Sequence, residues 1–234
     1  MNKPLSIAAI KEQLQEIRSL EDPRWTTIRA DSRKGVQAAI KSWERNYQLD
    51  LALKERQIQM MAFEEELKAN GRLAIAGIDE VGRGPLAGPV VAAGVILRAE
   101  VSFLPVNDSK QVSAKKREQL YDQIMAIADV GIGLISPETI DAVNIYEATK
   151  LAMMQAIANL KQEPDSLLID AMTLPLPVEQ RSIIKGDAKS VSIAAASIVA
   201  KVYRDRLMSE YALQYPHYGF EKNAGYGTQL HLSG

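Results

Sequence analysis

Leu73-Ala74-Ile75-Ala76-Gly77-Ile78-Asp79-Glu80-Val81-Gly82-Arg83-Gly84-Pro85 decides the fold class. The run from Leu73 to Ile78 is apolar and carries β-branched residues. Such a run between glycine and proline is the pattern of a strand buried on both faces. Two carboxylates end it, where polar residues are otherwise rare, and a glycine-rich turn follows. Neighbouring strand residues point to opposite faces, so Asp79 and Glu80 serve one site only if the chain turns there. Gly82 and Gly84 permit such a turn.

Downstream, Val90–Leu97, Val130–Ile135 and Leu167–Asp170 are predicted strands, and 113–128 and 146–160 are predicted helices. The segment Ser190–Arg206 begins nearly apolar all round, with Val191, Ile193, Ala194, Ala195, Ala196 and Ile198, and ends on Lys201, Arg204 and Arg206. Small side chains allow close backbone approach, so it is predicted to be a helix packed on a sheet at its start and emerging at a charged surface. Strands come first and then alternate with helices, an α/β pattern. Upstream the texture differs. Ile7, Ile10, Leu14 and Ile17 share one helical face, Asp22-Pro23-Arg24 breaks the pattern, and a second helical stretch runs from Lys34 to Asn70, with Gly71 as its stop. The expected organisation is a helical extension over 1–70 and a main α/β domain over 71–234.

Hydrophobic residues make up 47% and charged residues 24% of the 234, ordinary values for a folded domain, and the net charge of −1 does not announce a nucleic-acid binder. Any basic surface must be local. The absence of cysteine excludes disulfides and thiolate chemistry, and His217 and His231 are the only histidines. A catalytic metal would therefore be held by oxygen. The apolar stretch from Leu5 to Ile10 is too short for a signal or membrane segment, so a cytoplasmic protein is expected.

Two further aspartates resemble Asp79-Glu80 in placement. Asp170 ends the run Leu167-Leu168-Ile169, and Asp187 lies in Lys185-Gly186-Asp187-Ala188-Lys189-Ser190 just ahead of the apolar helix. Four converging carboxylates resist joint ionisation and imply a compensating cation. Mg2+ or Mn2+ suits such a set, and two ions roughly 3.5–4 Å apart can hydrolyse a phosphodiester without histidine or cysteine. The residues also admit plainer readings. A strand-terminal aspartate is often a turn former or cap, and Gly82-Arg83-Gly84 is either a turn or a loop that approaches a phosphate or sugar.

These residues carry a resemblance to the bacterial ribonuclease HII family. The matching segments are 77–90 (Gly77 to Val90), Asp108-Ser109-Lys110, 144–149 (Asn144 to Thr149), Leu168-Ile169-Asp170-Ala171, Lys185 to Ser190, and Asn223-Ala224-Gly225-Tyr226-Gly227-Thr228, in the family's order across 71–231. The resemblance implies a ribonuclease H-like fold, with a mixed five-stranded sheet flanked by helices. It implies Asp79, Glu80, Asp170 and Asp187 as catalytic metal ligands, the first bridging two Mg2+ or Mn2+ ions. Gly82, Arg83 and Gly84 would recognise the ribonucleotide 2′-hydroxyl, and Tyr226 would pack on the neighbouring deoxyribose. Lys110, Lys185, Lys189, Lys201 and Arg204 would hold phosphates.

The implied activity is endonucleolytic hydrolysis of the RNA strand of RNA–DNA hybrids, with incision 5′ of ribonucleotides embedded in duplex DNA. The products carry 3′-hydroxyl and 5′-phosphate ends, and the roles are ribonucleotide excision and primer removal. The expected partners are those nucleic acids and no membrane, for a monomer. Two departures stand out. Gln111 and Val112 replace the lysine and leucine usual after Lys110, and the chain stops at Gly234 where the family commonly continues into a basic helix, so the carboxyl end is expected to be truncated. A nuclease of the same fold acting on all-DNA junctions, and a non-catalytic hybrid-binding protein, are the competing readings.

Overall fold

The computed structural model describes residues 5–98 and 113–234. Asp108-Ser109-Lys110, Gln111 and Val112 lie outside the described residues. The chain divides into two compact units, Met1–Arg56 and Gln57–Gly234.

The first unit contains α1 (Ile7–Glu16), α2 (Pro23–Arg29) and most of α3 (Lys34–Met60). Ser6 caps α1 by accepting from the Ala9 amide, and Asp22 caps α2 by accepting from the Arg24 amide. The Asp-Pro pair that interrupts the first helix therefore starts another, with proline at the first position where its missing N–H costs nothing. Ile10, Leu14, Ile17, Trp25, Ile28, Val36 and Ile40 form a small core, closed by Trp43. The predicted stretch 34–70 is two helices, because α3 ends at Met60 and α4 spans Ala62–Ala69. Gly71, with φ +82°, ends α4 as expected.

The second unit is built on a five-stranded mixed sheet: β1 (Ile75–Val81), β2 (Val90–Leu97), β3 (Ala128–Ile135), β4 (Ser166–Asp170) and β5 (Glu179–Ile183), in the order β3-β2-β1-β4-β5. The β1–β2 and β2–β3 pairs are antiparallel, whereas β1–β4 and β4–β5 are parallel. The central strands are buried on both faces, which is why they read as unbroken apolar runs. One face is covered by α5 (Ala114–Ile127) and α8 (Val191–Gln214), the other by α7 (Ile145–Ala158), which follows α6 (Pro137–Val143). On the α8 side the packing is backbone on backbone. A Cβ on Gly77 of β1 would lie 2.1 Å from the Ser192 carbonyl carbon. Two short helices, α9 (Phe220–Asn223) and α10 (Gln229–Ser233), close the chain. Among the described residues no helix is long and apolar enough to cross a membrane.

β5 and α6 escape the sequence reading for different reasons. Glu179–Ile183 is a half-exposed edge strand with no apolar run to signal it. α6 is signalled by its start, where Ser136 caps the Thr139 amide and Pro137 takes the first position.

Candidate metal centre and nucleic-acid interface

The β1–β4 pairing ends at Ile78–Ile169, so Asp79, Glu80 and Asp170 lie just beyond the last paired residues, at the carboxyl ends of the two central strands. Ligand sites of open α/β sheets occupy this position. Carboxylate oxygens of these three residues lie within 4.8 Å of one another. The expected turn at Asp79-Glu80 is absent. β1 stays extended through Val81, with Glu80 opposite Ala92 and Val81 opposite Val91 on β2. The carboxylates still converge because β4 has ended, leaving that edge of β1 open, and across an open edge side chains from opposite faces can approach.

Asp79 is buried, accepts from the Glu80 amide at 2.8 Å and is hydrogen-bonded by Ser197 of α8. Burial first, and the Glu80 charge second, push its carboxyl well above the usual carboxylate range, against the Ser197 hydrogen bond. Burial also pushes Glu80 up, while Arg83, with Nη1 3.4 Å from its Oε1, pulls it down and Asp170 pushes it further up. Glu80 Oε2 is buried without a hydrogen-bond partner. Asp170 Oδ1 accepts from the Gly186 amide at 2.7 Å. This bond draws the 3₁₀ turn Gly186–Ala188, and with it the backbone of half-buried Asp187, to the end of β4. Asp187 itself is not one of the three clustered carboxylates.

The donor set fits a hard divalent cation. It is all oxygen, two of its carboxyls are discouraged from ionising by burial and like charge, and one buried carboxylate oxygen is unsatisfied.

Beside the cluster, Gly82 takes φ +99° and Arg83 is half exposed. A Cβ on Gly84 would lie 3.4 Å from Tyr226 Cε1, so Gly84 and the exposed Tyr226 ring share one surface. Backbone bonds join their segments, since the Leu86 and Ala87 amides donate to the Gly225 carbonyl at 2.9 and 3.3 Å. Asn223 shapes the tyrosine segment by accepting from the Gly225 amide at 2.9 Å. Lys185 and Lys189 flank the Asp187 turn and are exposed, whereas Lys201 is engaged with Asp205 at 2.6 Å. Lys110 lies outside the described residues.

Arg204 corrects an expectation, for it is fully buried and donates to three backbone carbonyls, which removes it from any phosphate-binding surface. Ser197 escapes the sequence reading because serine in an Ala-Ser helix signals only close packing. Glu64 of α4, whose Oε1 accepts from Ser190 and Ser192 at the start of α8, escapes it because nothing in 62–69 distinguishes it from the other glutamates there.

An all-carboxylate cluster at the carboxyl ends of the central strands of this mixed sheet places the chain among α/β proteins equipped to hold a divalent metal there. Comparison with known proteins narrows the class. The ribonuclease HII family model matches residues 76–234, and that of the ribonuclease HII N-terminal domain matches 6–68. Ribonuclease HII of Bacillus subtilis (strain 168) is 53% identical over 229 residues, spanning 97% of this chain and 90% of that protein. Among solved structures, ribonuclease H2 of Pyrococcus horikoshii OT3 superposes with a TM-score of 0.59 at 29% identity, over 66% of this chain and 81% of that one. The ribonuclease HII of Archaeoglobus fulgidus, solved in complex with PCNA, gives 0.58 at 30% identity, over 69% and 85%. The chain belongs to the ribonuclease HII family. It is an endoribonuclease of the ribonuclease H type, a divalent-metal-dependent activity directed at RNA–DNA hybrids.

Proposed function

We propose that this enzyme, besides cutting the RNA strand of hybrids, incises duplex DNA on the 5′ side of a single embedded ribonucleotide. Water adds to phosphorus and the P–O3′ bond breaks, leaving a 3′-hydroxyl upstream and a 5′-phosphate on the ribonucleotide. The observation that carries this reading is the adjacency of the three-carboxylate cluster to a surface shared by the Gly82–Gly84 loop and Tyr226.

Asp79, Glu80 and Asp170 would hold the metal, and Asp187 would complete the set from the adjoining turn. Mg2+ or Mn2+ bound there, one ion or two, would supply the positive charge that polarises a phosphodiester and offsets the charge building on its oxygens. Gly82, Arg83 and Gly84 bring backbone groups and a guanidinium to the ribose, whose 2′-hydroxyl is the feature that separates RNA from DNA at one site. Arg83 also offsets part of the cluster's charge through Glu80. Tyr226 lies flat on the next sugar, where the hydrogen of a deoxyribose fits and a hydroxyl is crowded out. Lys110, Lys185 and Lys189 neutralise phosphates of the bound strands. A cytoplasmic monomer acting in ribonucleotide excision and primer removal accords with this chemistry.

The test compares three duplexes in Mg2+ or Mn2+: DNA with one ribonucleotide, a continuous hybrid, and all-DNA. Incision 5′ of the ribonucleotide, lost in Asp79→Asn, is the expected result. Equal cutting of the all-DNA duplex would transfer the assignment to a junction nuclease, and binding without cutting would leave a hybrid-binding protein.

A further inference from the structure

α8 touches the candidate centre twice. Ser197 bonds to Asp79, and seven residues later, on the same helical face, Arg204 reaches the loops beside it. The Arg204 guanidinium is fully buried, and its three hydrogen bonds all end on main-chain carbonyls. Nε donates to Pro89 at 2.9 Å, Nη2 to Ala87 at 3.1 Å and Nη1 to Ala224 at 2.8 Å. Two of these carbonyls end the segment that carries Gly82, Arg83 and Gly84, and the third is two residues before Tyr226. The surroundings are cut to fit the planar group. A Cβ on Gly82 would lie 2.6 Å from Nε, and one on Gly88 would lie 3.1 Å from Nη2, at backbone angles of φ +99° and +90°. On the far side, a Cβ on Gly225 would lie 2.2 Å from the Ala87 carbonyl oxygen. Burying an arginine whose hydrogen bonds reach no carboxylate is a poor route to stability compared with an apolar residue of similar size. What the planar fork supplies is a fixed spacing between three carbonyls on two segments.

We propose that Arg204 is a positioning residue for substrate choice, holding the 2′-hydroxyl-sensing loop and Tyr226 at the separation of two adjacent nucleotides. The inference rests on the function proposed above. A single ribonucleotide in DNA offers one register, in which the loop must meet the ribose while Tyr226 meets the next deoxyribose. A continuous RNA strand offers a 2′-hydroxyl at every step. Loosening the clamp therefore costs the first substrate far more than the second.

Arg204→Lys keeps the charge but cannot bridge three carbonyls in one plane. The reading is the ratio of kcat/KM on a one-ribonucleotide duplex to kcat/KM on a continuous hybrid, because a ratio measured on one preparation is independent of the folded fraction. The expected result is a fall in that ratio of about tenfold, carried mainly by KM on the one-ribonucleotide duplex, with hybrid cleavage kept within about threefold. Tyr226→Ala should lower the ratio in the wild-type background and lower it little further in Arg204→Lys, since the two act as one unit. An unchanged ratio, or strictly additive losses, overturns the proposal.

If the wild-type enzyme shows no preference for ribonucleotide-containing DNA over all-DNA, the underlying function fails. The clamp is then judged by hydrogen exchange at the Leu86 and Ala87 amides, which it predicts to be faster in Arg204→Lys, and unchanged exchange overturns it. Should Arg204→Lys not yield folded protein, Arg204→Gln, which keeps a planar donor but cannot reach all three carbonyls, is read in the same way.

Discussion

Replacing Glu64 tests how the candidate centre is held in place. This residue sits on α4 with only 5% of its surface exposed, and its Oε1 accepts three hydrogen bonds at the start of α8, from Ser190 Oγ at 2.6 Å, Ser192 Oγ at 2.7 Å and the Ser192 amide at 3.0 Å. Ser190 is the N-cap of that helix, whose unpaired amides and dipole favour a negative charge at this end. Glu64→Ala removes the common acceptor and leaves buried hydroxyl and amide groups without it. Each bond to a charged group contributes about 1.5–3 kcal/mol, while relief of the desolvated carboxylate returns part of the sum. Three such bonds amount to about 4.5–9 kcal/mol, and with part of that returned a net loss of about 3–5 kcal/mol is expected. At roughly 2–4 °C per kcal/mol for a chain of this size, the melting temperature should fall by about 6–20 °C. Glu64→Gln retains an acceptor and should lose markedly less. Thermal melts followed by circular dichroism, with urea titrations to check that the transition stays cooperative, measure both. A melting temperature for Glu64→Ala within about 2 °C of wild type would refute the reasoning, and with it the view that this carboxylate seats the helix carrying Ser197 to Asp79.

Three further outcomes are expected. Asp79 and Glu80 both titrate above their ordinary values of 3.8 and 4.5, so when folded they hold protons more tightly than when unfolded. Their contribution to metal-free stability is complete below those values and lost as pH rises through the raised folded pKa values. Mg2+ or Mn2+ should accordingly raise the melting temperature more at pH 8 than at pH 5, and Asp79→Asn should stabilise the metal-free protein while shrinking the metal-induced shift. Equal metal shifts at the two pH values in differential scanning fluorimetry would contradict this. Gly77→Ala drives a methyl into the backbone of Ser192, which cannot yield as a side chain can. A loss of about 3 kcal/mol or more is expected in urea denaturation, at or above the upper end of the overpacking range. Tyr226→Phe should keep most of the preference for a ribonucleotide followed by a deoxyribonucleotide, because the ring and not the hydroxyl makes the contact. Tyr226→Ala should lose about tenfold in kcat/KM on the one-ribonucleotide duplex, within the range that stacking contacts to nucleic acid supply.

Much of the molecule is written in local pattern. The central strands announce themselves because burial on both faces demands unbroken apolar residues, and three of the acidic positions stand out because they follow such a run: Asp79 and Glu80 come directly after the apolar part of β1, and Asp170 ends β4. The close packing of α8 is readable in its alanines and serines. Absence of cysteine and scarcity of histidine leave oxygen as the metal donor on composition alone. The kinship with ribonuclease HII follows from motifs that are contiguous in the chain.

Tertiary structure alone decided the rest, since the deciding contacts join residues far apart in sequence. Asp79 and Glu80 share a site without a turn because β4, some 90 residues on, stops at Asp170 and opens the edge of β1. Arg204 looks like a surface phosphate ligand at the charged end of a helix. It is instead a buried clamp, because carbonyls from 87, 89 and 224 converge on it. Glu64 is one acid among several in its helix until α8 brings three donors to it. Periodicity and motif report which face of an element is buried or polar. Which donor meets which acceptor depends on where the sheet ends and which loop folds over it, and that is settled only when distant segments pack.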